Sequence, residues 1–112
     1  MRGEVYWLRE MVTSCHAIAE YLEGAIFETL EREGMRRDAI VHRLAVIGES
    51  VAYVSAGTRS LLPNVPWSSI RQMRNLLLHE FHRVDLSVVW DTATQDVPAL
   101  LTSLETIVRP EE

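Results

Sequence analysis

The chain has 112 residues, 47% of them hydrophobic and 24% charged, and a formal net charge of −5. That is enough for one domain with a modest core, and the acidic balance argues against a broad electrostatic grip on nucleic acid. No apolar run is long enough to span a membrane, and acidic residues in MRGEVYWLRE stand where a signal peptide needs an apolar stretch, so a cytoplasmic protein is expected.

The first predicted helix runs from Glu4 to Leu22. Val5, Leu8, Met11, Val12, Cys15, Ile18, Ala19 and Leu22 recur at three–four spacing and give it one apolar face. Cys15 is the sole cysteine, which excludes an intrachain disulfide and any CxxC metal motif; a small core residue is its expected role. Gly24 interrupts, and AIFETLERE reads as a short helix ending near Gly34 as a C-cap. A long helix follows from Asp38 to Ala56, with Ile40, Val41, Leu44, Ile47, Val51 and Val54 as its stripe. Asp38 suits the positive end of the helix dipole. Gly48, interior to that helix, costs about 1 kcal/mol relative to alanine, a cost that close approach of another helix would offset. Gly57 is the expected stop.

LLPNVPW is a loop, and Pro66 can occupy the first turn of a helix reaching Phe81. HRVD breaks it, and Asp85 is a candidate N-cap for the last helix. Pro98 lies inside that helix, so a kink or a restart is expected there. No strand pattern emerges. The expected fold is all-α: an up-and-down bundle of four to five helices, with the last kinked near Pro98, in a single domain spanning residues 1–112.

Acidic residues gather early, at Glu20, Glu23, Glu28, Glu31 and Glu33. By contrast, Arg71 to Arg83 holds three arginines, two histidines and one acid, Glu80. All eleven basic residues are arginine, the side chain that presents a planar fork to phosphate. Within RQMRNLLLHEFH a helix advancing about 100° per residue puts Arg71, Asn75 and His79 in one row. His82 extends the row if the helix persists, and Arg74 flanks it. A guanidinium, an amide and an imidazole toward one edge suit RNA phosphodiester cleavage. The imidazole moves a proton at neutral pH, and the guanidinium stabilises the charge of the phosphorane. The same residues also suit plain structural duties: His79 as a cation at a helix C-terminus, Arg71 and Arg74 as solvated groups, His82 and Arg83 as surface. An arginine five residues before a histidine is inexpensive by chance. Tyr6, Tyr21 and Tyr53 read as packing residues and Trp67 and Trp90 as core anchors, while Trp7 could belong to an interface. Glu49 reads as a solvated residue or as the ion-pair partner of an arginine such as Arg43.

The stretch HRLAVIGES (42–50), followed by LPNVPWSSIRQMRNLLLHEFHRVDLSVVWDTATQDVPAL (62–100), carries an ordered set: PW, MRN, H, VDL, VW, T and DVP. On it the chain resembles the HepT-like family of HEPN-domain proteins. The resemblance implies a ribonuclease toxin of a HepT/MntA toxin–antitoxin pair, independent of metal and of any cofactor. It further implies a homodimer with facing sites, a minimal nucleotidyltransferase (MntA) as antitoxin and RNA, such as tRNA or mRNA, as substrate. By the same resemblance Arg74 contacts phosphate and stabilises charge, Asn75 positions substrate or histidine, and His79 is the acid–base group. Arg71 and His82 are further candidates for substrate binding. Family members usually carry a tyrosine two residues after the histidine, to which the partner adds AMP. Here that position is Phe81, which has no hydroxyl to accept it. The competing readings are a non-catalytic HEPN module that binds its nucleotidyltransferase partner or a nucleotide, and a purely structural helical adaptor.

Overall fold

The structure is a computed structural model and describes residues 3–79 and 84–109. All of its regular structure is helical among these residues. The elements are α1 (Glu4–Tyr21), α2 (Phe27–Arg32), α3 (Gly34–Val51), α4 (Ala56–Leu61), α5 (Trp67–His79), α6 (Leu86–Asp91), a π-helical turn (Thr92–Asp96) and α7 (Val97–Leu104). The expected all-α bundle is what forms. Three long helices, α1, α3 and α5, together with the α6–α7 unit make its frame, and α2 and α4 are short additions.

α3 is the central element. It packs against α1 on one side and α5 on the other, while α7 closes on α1 and α2 bridges α3 and α6. The reason lies in its stripe: Ile40, Val41, Leu44, Ile47, Val51 and Val54 are all buried, as their spacing predicts. α1 contributes Leu8, Met11, Cys15 and Ile18 to the same core, and α7 contributes Val97, Leu100 and Leu104. Full burial of one such aliphatic side chain contributes roughly 1.5–3 kcal/mol. Val5 and Ala19, expected on the apolar face of α1, are exposed instead. Trp67 is buried at the start of α5, and its indole N–H donates to the carbonyls of Leu62 and Arg59 at 3.2 and 3.3 Å. Trp90 lies against the edge of the core with its ring edge-on to Phe27.

Several boundaries differ from expectation for local reasons. Gly34 does not cap α2; it is the first residue of α3, four positions before Asp38. The left-handed glycine is Gly24, φ 72°, just beyond α1. Gly57 does not stop the chain either. Ser55 accepts the N–H of Thr58 in its side chain and so starts α4, with Gly57 in its first turn. Asp85 is the N-cap of α6, as expected, and accepts the N–H of Ser87 at 2.8 Å. Its carboxyl is held below the ordinary range by the hydroxyl and then the N–H of Ser87. Pro98 sits in the first turn of α7. It has no N–H to give the carbonyl four residues back, and the widened π turn lies immediately before it. The irregularity expected near Pro98 therefore takes the form of a π turn and a restart.

Candidate active site

The site is built where α5 crosses α3. Gly48 of α3 makes the crossing close. A Cβ added there would collide with Cβ of Arg74 and lie 3.0 Å from the carbonyl oxygen of Ile70. The stem of Arg74 thus runs directly over the backbone of α3, as the interior glycine led one to expect. Its guanidinium then has two partners. One Nη donates to Glu49 Oε2 at 2.7 Å, and the other to Asn75 Oδ1 at 3.1 Å. The Nε is buried and without a hydrogen-bond partner. Arg74 and Glu49 keep 32% and 40% of their side-chain surface, so the ion pair lies at the rim and the guanidinium can still meet a ligand.

Arg74 and Asn75 are therefore brought together, and a planar, fixed guanidinium results. His79 follows Asn75 by one helical turn and is the last residue of α5. Its backbone is placed by the helix. Arg71 stands exposed on the outer face, one turn before Asn75. Phe81 and His82 lie outside the described residues, as does the expected end of the helix at Phe81.

Glu49 was expected as a solvated residue or as the ion-pair partner of an arginine; the ion pair forms, and its arginine is Arg74. Arg43, the partner considered for it, instead reaches the buried Ser14 hydroxyl at 3.5 Å. The available signal was Gly48: a helix position without a side chain marks the contact, and its neighbour then faces whatever packs there. Cys15 lies on α1, buried within the core. Burial, and then the charge of Glu105, push its thiol up to about 12, so it is no nucleophile at neutral pH.

The chain matches the family model described as "Ribonuclease HepT-like" over residues 11–107. It belongs to the HepT-like ribonuclease family. A "Putative RNase" of Methanocaldococcus jannaschii is 32% identical over 106 residues, covering 95% of this chain and 91% of that protein. A "Probable ribonuclease HepT" of Thermococcus cleftensis is 27% identical, covering 93% and 94%. A "Putative RNase" of Caldanaerobacter subterraneus subsp. tengcongensis is 28% identical, covering 95% of each. No solved structure matches significantly. The family match takes in α3, α5 and the whole crossing that holds Arg74, so the site sits within the part of the chain that family membership rests on.

Proposed function

We propose that this chain is a metal-independent HEPN endoribonuclease, the toxin of a toxin–antitoxin pair, folded as a single domain over residues 1–112. The observation that carries the reading is the Arg74 guanidinium, held between Glu49 and Asn75, five residues before His79 on the same helix. In the proposed reaction an imidazole takes the proton of a 2′-hydroxyl, whose oxygen attacks the adjacent phosphorus. The 5′-oxygen leaves with a proton returned to it, giving a 2′,3′-cyclic phosphate and a free 5′-hydroxyl. His79 serves the proton transfers, and Arg74 faces the charge that builds on the phosphorane. Asn75 orients the guanidinium through its side-chain oxygen.

A homodimer fits the surface beside the site. Between α5 and the α6–α7 unit runs an apolar groove of about 660 Å³, with Ile70, Met73, Leu76, Val88 and Leu100 among its lining residues. Leu76 and Val88 remain 44% and 48% exposed there. A second copy would cover them, and α5 would then serve the core on one side and a two-protomer cleft on the other. The antitoxin in this reading is a minimal nucleotidyltransferase. Phe81 offers it no hydroxyl, so neutralisation proceeds by binding.

The test is direct. Purified protein incubated with labelled total RNA in excess chelator should produce fragments, and His79→Ala and Arg74→Ala should each abolish them while the circular dichroism stays helical. Equal cleavage by wild type and His79→Ala sinks the mechanism. Tight binding of the nucleotidyltransferase with no cleavage by wild type favours the non-catalytic module. Incubation with that partner and ATP should add no AMP to position 81, which mass spectrometry of the peptide reads.

A further inference from the structure

We propose that Tyr53, backed by Trp7, is a base-stacking platform that binds one nucleobase of a single-stranded RNA beside the Arg74 phosphate site. The proposal rests on the ribonuclease reading for its choice of ligand and on separate geometry for its place.

Trp7 on α1 and Tyr53 just past the end of α3 are stacked, with ring centroids 4.3 Å apart and planes 12° from parallel. Tyr6 meets Trp7 edge-on at 5.0 Å. Such a cluster normally goes inside, where aromatic rings contribute most by burial. Here Tyr53 keeps 48% of its surface although Trp7 covers one face. About half of the residue thus stays open to solvent while its ring is already stacked on one partner. A second planar group that meets this ring extends the stack.

The platform is held from two directions. The N–H of Tyr53 donates to the Ser50 carbonyl at 3.0 Å, continuing the last turn of α3. Two residues on, the N–H of Ser55 donates to the Glu4 carboxylate at 2.6 Å, which ties the start of α1 to the start of α4. Trp7 stands one turn along α1 from Glu4. The backbone around both rings is therefore anchored, each ring is stacked on the other, and an aromatic so held loses little freedom when a base settles on it.

The position of the platform gives it a ligand. Tyr53 follows Glu49 by four residues and lies two residues past the end of α3. Glu49 in turn holds the Arg74 guanidinium. A single strand whose phosphate meets Arg74 then has an aromatic ring four residues along the chain from the carboxylate that holds the guanidinium, and cation with ring is the pairing by which proteins take single strands. Of the acids nearby, Glu49 is paired with Arg74 and Glu4 accepts the Ser55 N–H. A duplex cannot use the platform, because its bases are already stacked and paired. Stacking also depends little on charge, which suits a chain whose net charge is −5.

The experiment uses a labelled RNA of about ten nucleotides, a length in the range of small single-strand sites. Every 2′-hydroxyl is methylated so that it binds but is not cut. Fluorescence anisotropy should show Tyr53→Ala binding about ten- to a hundred-fold more weakly than wild type, the loss of one stack. Tyr53→Phe and Tyr53→Trp should bind like wild type. Tyr53→Leu keeps an apolar cover over Trp7 but has no aromatic face, so it should behave like Tyr53→Ala while keeping wild-type stability. The matching duplex should bind wild type at least about ten-fold more weakly than the single strand. Binding by Tyr53→Leu within roughly twofold of wild type overturns the proposal, as does equal affinity for the duplex. The two readings fail separately: wild type that binds this oligomer through Tyr53 but leaves ordinary RNA whole refutes the nuclease, and RNA cleavage with Tyr53-independent binding refutes the platform.

Discussion

In the proposed reaction Arg74 is where a single side chain does most. A guanidinium free to sample its rotamers would have to be ordered by the substrate; this one is ordered before substrate arrives, by a carboxylate on α3 and an amide next to it. At half-exposed positions the ion pair itself adds little stability, about 0–1 kcal/mol. Its contribution is geometric. Glu49→Gln should therefore leave the urea-unfolding midpoint nearly unchanged while lowering the RNA cleavage rate by about ten-fold, a barrier increase of about 1.4 kcal/mol. Arg74→Lys should not restore activity to Arg74→Ala, since an ammonium cannot span two partners in one plane. A Glu49→Gln chain that unfolds far more easily, or that cleaves at the wild-type rate, contradicts this account. Arg74 and Asn75 were legible in the sequence because they are adjacent on one helix. Glu49 was legible only as a candidate partner for some arginine; which one was not, because Arg74 is 25 positions away and only the packing of α3 on α5 joins them.

At the level of elements, α3 was the most legible. Its apolar stripe is long and strictly spaced, and burial follows it residue by residue. α4 was the least legible. A glycine at 57 reads as a stop, yet Ser55 supplies a cap and Glu4, 51 positions earlier, takes the Ser55 N–H. Only the fold brings that carboxylate near. The π turn also has a reason visible in the core. Val89, Ala93 and Val97 are buried at successive spacings of four, which in a plain α-helix drift around the axis by about 40° each time. A turn widened toward the i→i+5 pattern absorbs that drift and keeps the three on one side. Gly48 is the contact on which the α3–α5 crossing depends. Gly48→Ala should gain about 1 kcal/mol of helix propensity and lose more to overpacking, typically about 1–3 kcal/mol, because one neighbour is a backbone carbonyl that cannot swing aside. Chemical denaturation should show net destabilisation. Cleavage should fall further than stability, since Arg74 is displaced.

The molecule as a whole is acidic, and one long-range tie within it, from Glu4 to Ser55, can be read through pH. The Ser55 N–H, followed by the Thr58 and Ser55 hydroxyls, lowers the Glu4 carboxyl below its ordinary 4.5. The folded state therefore favours the ionised form. The stabilisation is complete above the unfolded value near 4.5 and fades as pH falls through the lower folded value. Glu4→Gln should accordingly be less stable than wild type at neutral pH, by a small margin because the group is exposed. The two should converge in acid. Unfolding curves at several pH values check this, and a difference that persists unchanged well below the folded value would contradict it. The tie also matters beyond stability, because it anchors α1, and with it Trp7, against the junction that carries Tyr53.

Gly48 has one more consequence, and it is genetic. The position has no side chain to offer a substrate, yet almost every codon change that alters it adds atoms where Arg74 must pass. If expression of the chain arrests growth, survivors selected from a mutagenised pool should include Gly48 substitutions alongside those at Arg74 and His79. Inheritance of activity then depends as much on a space kept empty as on the groups that border it.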